Sequence, residues 1–226
     1  MAAPDFEVER QRMVEEQIIR RGLVEPRLLA AMRSVPRHEF VPLEYRDYAY
    51  SDGPLPIGND QTISQPYIVA LMTHLLELHG TERVLEVGTG SGYQAAILAH
   101  MAAEVHTVEI LPELAAQAKA SLSRLGITNV HCHLADGSLG WKKAAPYDGI
   151  LVAASAPDVP PPLMEQLADG GRLVLPVGGR FSQELLVVTR RDGEYHRRSV
   201  LSVAFVPLRG VHGWRGATSP DVFGAG

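Results

Sequence analysis

Three short stretches of this 226-residue chain hold residues whose types and spacing could do chemistry. The first is Glu86-Val87-Gly88-Thr89-Gly90-Ser91-Gly92. A glycine-rich turn between a strand and a helix lets the backbone approach a ligand, and the helix that follows offers free N–H groups. The glycines are spaced G-x-G-x-G and position 93 is Tyr, whereas the dinucleotide fingerprint is G-x-G-x-x-G, so a pyrophosphate is disfavoured. Glu86, just ahead of the loop, would repel a pyrophosphate yet help to hold an ammonium or sulfonium group. The second stretch ends at Glu109, 21 residues beyond Gly88, the offset expected of a carboxylate that accepts hydrogen bonds from ribose hydroxyls. The third is Asp136-Gly137, placed to receive the exocyclic amine of adenine. Each alone reads equally well as ordinary structure: a tight turn at Gly88 and Gly92, a helix cap at Glu109, an Asx-turn at Asp136. In this order along one alternating sheet they favour a nucleotide-like ligand.

Other reactive side chains argue for less. The single cysteine, Cys132, rules out an intrachain disulfide or a multi-cysteine metal site, and its place in an expected strand suits a buried thiol. His38 and His74 lack acidic partners at ligand spacing and are expected to be solvated or structural, so no metal is expected. A net charge of -5 and a pI near 6.0 give no global attraction to nucleic acid or anionic membrane. Arg190-Arg191 and Arg197-Arg198 are short and read as solvated strand ends. The acidic, mixed segment 1–12 lacks the basic and apolar regions of a secretory signal, and no run is long enough for a membrane span. A cytoplasmic monomer, with neither nucleic acid nor membrane as partner, is the expectation.

The positioning elements follow from periodicity. Helical faces run over Glu7 to Arg21 and Pro26 to Met32. The stretch Val35 to Asp60, rich in Pro, Gly and aromatics, reads as a long ordered loop with short helical pieces, too irregular for a strand ladder. A helix of about four turns is expected after Ser64, with Ser64 as its cap, Pro66 in its first turn and Gly80 closing it. Strands at Arg83 to Val87, Val105 to Glu109, Val130 to Leu134, Asp148 to Ala153 and Arg172 to Pro176 then alternate with helices at Tyr93 to Met101, Pro112 to Leu125 and Pro161 to Leu167. That alternation implies an α/β, Rossmann-like sandwich with a mostly parallel sheet under an N-terminal helical cover. Strand-like runs Glu184 to Thr189 and Tyr195 to Val206 flank Arg191-Asp192-Gly193, a hairpin signal, so the sheet should end in an antiparallel pair. One domain is expected over 1–226: N-terminal helices and substrate loop to 65, a cofactor-binding core over 66–180, the hairpin over 181–215 and a flexible tail over 216–226.

Several of these segments together are similar to a known family. Asp52-Gly53-Pro54-Leu55-Pro56-Ile57, Gln61-Thr62-Ile63-Ser64-Gln65-Pro66 and the glycine loop resemble the protein-L-isoaspartate O-methyltransferases. The resemblance extends through Val35-Pro36-Arg37, Phe40-Val41-Pro42, Gly170 to Gly178 and Phe205-Val206-Pro207-Leu208, covering nearly the whole chain. It implies S-adenosylmethionine as cofactor, released as S-adenosylhomocysteine, and as acceptor the free α-carboxylate of L-isoaspartyl residues in proteins and peptides. It also implies that Ser64 is the active-site serine. Thr62, Ile63, Glu86, Gly88, Thr89, Gly90, Ser91, Gly92, Glu109, Ile110, Asp136 and Gly137 would contact the cofactor. Pro56, Ile57, Thr62, Ser64, Val206, Pro207 and Leu208 would line the peptide site.

Elementary chemistry is compatible with that assignment, because a carboxylate is already ionised at neutral pH and needs no general base to accept a methyl group. Two departures stand out: Asn59-Asp60 where many relatives carry glycine at position 60, and Arg209 where some place a peptide-binding threonine, a contact not carried over here. The rival readings are an aspartyl O-methyltransferase dedicated to one peptide product, a cofactor-binding module without catalysis and an NAD-dependent oxidoreductase.

Overall fold

The computed structural model describes residues 5–214, so the flexible tail expected over 216–226 lies outside the described residues. The first element is a helical rod. Asp5 caps helix α1 (Phe6–Met13) by accepting from the N–H groups of Glu7 and Val8 at 3.0 and 3.3 Å. The rod continues through a π-helical turn, Val14–Ile18, and a 3-10 turn to Arg21, where Gly22 at φ +90° ends it. Helix α2 (Pro26–Ser34) follows and buries Leu28, Leu29, Ala31 and Met32.

The loop expected over Val35 to Asp60 proves more regular than its composition suggests. Two 3-10 turns, Arg37–Phe40 and Leu43–Tyr48, lead into a hairpin of β1 (Leu55–Gly58) and β2 (Gln61–Ile63). Proline on such a short two-stranded ribbon costs little, which is why Pro56 did not exclude a strand. Asn59 and Asp60 turn the corner at φ +52° and +57°, a conformation these residues tolerate best after glycine, so the departure from a glycine at 60 leaves a tight turn intact.

Helix α3 (Pro66–Leu75) is shorter than expected, and its cap is Gln65 rather than Ser64. It stops at Leu76, and Glu77 at φ +52° breaks the run; Gly80 lies in the following turn. The alternation then holds: β3 (Arg83–Val87), α4 (Tyr93–Ala99), β4 (Glu104–Glu109), α5 (Pro112–Arg124), β5 (Val130–Leu134), β6 (Tyr147–Val152), α6 (Pro161–Glu165) and β7 (Leu167–Gly178). The hairpin β8 (Gln183–Arg191) and β9 (Glu194–Val203) completes the sheet, turning at Asp192 and Gly193, both with positive φ. Strand order is β5-β4-β3-β6-β7-β8-β9; β3 to β7 are parallel, and β8 runs antiparallel to both its neighbours.

The two faces of the sheet are covered unequally. Val84, Val105, Leu151 and Val174 pack against the buried sides of α1 to α5, where Leu114, Ala118 and Leu122 recur at i, i+4 along α5. Leu85, Val108, Ile150 and Leu173 point to the other face, covered by Leu163 of the short α6 and by Trp141 beside a 3-10 turn. Leaving β3 the chain moves outward to β4, and after β5 it crosses to β6 on the other side of β3. That reversal opens a crevice at the carboxyl ends of β3 and β6, where ligands bind in such sheets.

Candidate active site

A cleft occupies that crevice. Its floor is Gly88 to Ser91, its sides are Glu86, Glu109, Ile110 and Gly137, and Ile63 and the strap Val206 to Arg209 close it. The glycine loop is held by its own backbone: the N–H groups of Gly88 and Thr89 donate to the Val108 carbonyl at 2.9 and 3.3 Å. Gly92, at φ +89°, lies against α5, where an added Cβ would come within 3.2 Å of the Ala118 methyl. Glycine is therefore required there both by dihedral and by packing, although Gly92 itself does not line the cleft.

The three acidic residues play different parts. Glu109 clamps the loop to the end of β4: Oε2 accepts from Gly90 N–H at 2.8 Å, while Oε1 accepts from Ile110 and Leu111 N–H at 2.9 and 3.0 Å. A carboxylate has about four acceptor positions, so the clamp leaves it capacity for a further donor from the cleft. Asp136 closes the Asx-turn, with Oδ1 accepting from Ser138 N–H at 2.9 Å and from its hydroxyl at 2.7 Å. Its Oδ2 accepts from Val211 N–H at 2.8 Å, and Gly137 rather than Asp136 lines the cleft.

Glu86 is wholly buried beside its register partner Thr107, whose hydroxyl donates to Oε2 at 2.5 Å and lies 2.6 Å from the Thr89 hydroxyl. Its other oxygen, Oε1, has no hydrogen-bond partner among the described residues. Burial, opposed by the Thr107 bond, pushes the Glu86 pKa up to about 8. A buried carboxyl with one open oxygen in a cleft wall fits a ligand that carries a positive group, as S-adenosylmethionine does in its ammonium and sulfonium.

Beyond this cleft lies a second cavity of about 460 Å³, lined by Pro54, Gln65, Tyr67, Ile68 and the run Leu201 to Phe205. Thr62, Ser64, Ala153 and Val206 border both cavities and so form the seam between them. Pro207 and Leu208 face the first cavity only, whereas Pro56 is exposed, Ile57 is buried under Gly90, and neither borders either space. Tyr67 and Leu201 to Phe205 were not anticipated from sequence; the alternation in Tyr195 to Val206 marks a strand but gives no sign that its end forms a cavity wall.

Ser64 is positioned through its backbone. Its carbonyl accepts from Arg37 Nη2 at 2.8 Å, and Arg37 Nε donates to the Ala49 carbonyl at 2.7 Å. Arg37 is completely buried under the Tyr93 ring, 4.9 Å from its centroid. Burial lowers its pKa to about 10, which leaves it charged at neutral pH. At the rim, Asp52 accepts from Gln65 at 2.7 Å and pairs with Arg21, which lies over the Tyr67 ring. The strap is anchored beside β6: Ser155 N–H donates to the Val206 carbonyl, and Leu208 N–H to the Ser155 carbonyl, both at 2.8 Å. Trp214 Nε1 donates to that same Ser155 carbonyl at 3.0 Å. The remaining reactive groups stand apart. His38 stacks on Phe6 and meets the Tyr50 hydroxyl, His74 meets Glu25, and Cys132 is half-buried with its pKa raised by burial.

This arrangement has counterparts. Residues 8–213 match the family model described as protein-L-isoaspartate(D-aspartate) O-methyltransferase. The chain belongs to that family. It is 58% identical over 206 residues to the protein-L-isoaspartate O-methyltransferase of Methanoregula boonei, covering 91% of this chain and 95% of that one. To the Geobacter metallireducens enzyme of the same name it is 56% identical over 211 residues, covering 93% and 98%. A solved Plasmodium falciparum structure, described as a family member in complex with S-adenosyl-L-homocysteine, superposes with a TM-score of 0.77 at 25% identity over 88% of this chain and 98% of that one. Membership agrees with the resemblance carried by Thr62-Ile63-Ser64 and the glycine loop, the two stretches that meet in the first cleft.

Arg37→Met keeps the volume but removes both hydrogen bonds, taking a donor from the buried Ala49 carbonyl and the part-buried Ser64 carbonyl while relieving the cost of a buried charge. We expect a net loss of about 2 kcal/mol in urea or thermal unfolding. Unchanged stability would show that the guanidinium does not anchor this segment.

Proposed function

We propose that this family member transfers a methyl group from S-adenosylmethionine to the free α-carboxylate of L-isoaspartyl residues in damaged proteins and peptides. The resulting ester can close to a succinimide, so the reaction opens a route to repair. The observation that carries this reading is the seam: Thr62, Ser64, Ala153 and Val206 separate a cleft suited to the cofactor from a largely apolar cavity open to a peptide. When bound, the cofactor supplies the methyl group on a positively charged sulfur.

The seam residues carry no titratable side chain, and none is needed, since the acceptor is ionised at neutral pH. Their work is positioning. The carboxylate and sulfonium charges diminish as they react, so a site that excludes water and holds them in line favours transfer. The Ser64 hydroxyl and the first turn of α3 orient the acceptor carboxylate, using a helix end that favours negative charge. Thr62, Ile63, the glycine loop, Glu109, Ile110 and the Asp136-Gly137 turn hold the cofactor, with Glu86 facing its cationic portion. Val206, Pro207 and Leu208 enclose the site from the strap. Ile57 acts from beneath the glycine loop, by supporting Gly90. The reading includes a monomeric cytoplasmic enzyme, to which its net charge of -5 gives no general affinity for nucleic acid.

Matched peptides differing only in L-isoaspartyl or L-aspartyl linkage should separate the readings: methylation is expected on the first alone. Equal methylation of both, or of neither, would overturn the repair assignment. In the same assay Ser64→Ala should lower turnover by about 10-fold or more while cofactor affinity changes little, and undiminished turnover would remove Ser64 from the catalytic role.

The Glu86 pKa supplies an independent test. Near pH 7 the buried carboxyl is mostly protonated, and a cationic ligand stabilises its ionised form, so binding should release up to about one proton. The release should fade as pH rises through about 8, where the carboxyl is already ionised. Calorimetry of S-adenosylmethionine binding in buffers of different ionisation enthalpy reads this directly. Glu86→Gln should abolish that component, and an unchanged proton count would show that Glu86 does not face the cation.

A further inference from the structure

Parallel strands β4 and β5 carry a second constellation, on the sheet face opposite Glu86 and at the end of β4 opposite Glu109. Glu104 and His106 stand two residues apart on β4, His131 and His133 two apart on β5, and His106 is in register with His131. The period of two sends all four side chains to one face. Short 3-10 turns cover that face near the sheet edge, so His131 and Glu104 remain about half and one-third exposed while His106 is buried.

Glu104 Oε1 lies 3.2 Å from His106 Nε2 and 3.3 Å from His131 Nε2, and the three ligand atoms fall within 4.8 Å of one another. Around a tetrahedral ion with metal–nitrogen bonds near 2.0–2.1 Å, neighbouring ligand atoms are about 3.3 Å apart, so two edges of the triangle already have coordination spacing. The other Glu104 oxygen is held by Arg83 Nε at 2.8 Å, which orients the carboxylate and leaves Oε1 available. His106 Nδ1 lies 3.0 Å from His133 Nε2, and His133 is stacked on Trp141. With the proton on Nδ1, His106 donates to His133 and turns its Nε2 lone pair toward Glu104, the outer-partner arrangement common to metal-binding histidines.

We propose that Glu104, His106 and His131 bind a divalent transition-metal ion of the zinc class, with His133 as a positioning residue and the fourth position open to water. Imidazole and carboxylate ligands suit that class. The methyl-transfer site does not require the ion; its effect is to tie edge strand β5 to β4.

The test uses the full chain without an affinity tag, stripped by a chelator and titrated with Zn²⁺ by calorimetry. A parallel titration with Co²⁺ follows the visible absorption of tetrahedral cobalt. One ion per chain is expected, with a rise in melting temperature that chelation reverses. His131→Ala and Glu104→Gln should each weaken Zn²⁺ binding about 100-fold or more, and His133→Ala about 10-fold with stoichiometry retained. Circular dichroism checks that each variant folds. If His131→Ala does not fold, Glu104→Gln decides, because it is nearly isosteric. Absence of a stoichiometric Zn²⁺ site in the wild type, or wild-type affinity in a folded Glu104→Gln chain, would overturn the proposal and leave Glu104 as a hydrogen-bond acceptor for two imidazoles.

Discussion

The buried guanidinium of Arg37 is the constraint on which the acceptor side of the molecule depends. Taking a charge out of water is costly, and the site must offset that with well-placed partners. Here the partners are the carbonyls of Ala49 and Ser64 and the face of Tyr93, drawn from three separate stretches of chain. The approach to the β1–β2 hairpin, the Ser64 segment that leaves it and the first turn of α4 are thereby gathered around the 3-10 turn that carries Arg37. Since α4 starts directly after the glycine loop, the backbone that carries Ser64 and the loop that forms the cofactor cleft share a common anchor.

Across the sheet, registry does comparable work. Pairing Glu86 with Thr107 places a hydroxyl against a carboxyl that would otherwise be buried with both oxygens bare, and Thr89 extends the chain of hydroxyls into the glycine loop. Glu109 completes the connection by holding Gly90 from the end of the neighbouring strand. A shift of β4 by one residue would send Thr107 and Glu109 to the opposite face. The cleft thus depends on strand alignment as much as on the glycines that first draw notice.

The alternation of strands and helices and the Asp192-Gly193 turn were legible because both follow local rules of periodicity and turn chemistry. Glu86, the glycine loop and the Thr62-Ile63-Ser64 segment were likewise recognisable, and the fold brings them to one crevice. The β1–β2 hairpin was missed because proline-rich composition masked a ribbon of only a few residues. Ser64 resembled a helix cap by residue type, yet Gln65 occupies that place and the Ser64 backbone is held from a distance by Arg37. At Asp136 the Asx-turn read from the sequence is present in its bond from Ser138, whereas the bond from Val211, far along the chain, needed the fold to become visible. The pairing of Glu104 and His106 with His131 and His133 required strand registry, although the two i, i+2 patterns were present in the sequence.

The strap gives the site an unusual place in the order of synthesis. The glycine loop, Glu109 and Gly137 are made in the middle of the chain, but Val206 to Arg209 close the cleft, and Trp214 helps fasten them at Ser155. A nascent chain can lay down its central parallel strands well before those closing residues exist. In order of synthesis, the residues that close the cleft follow those that form its floor and sides.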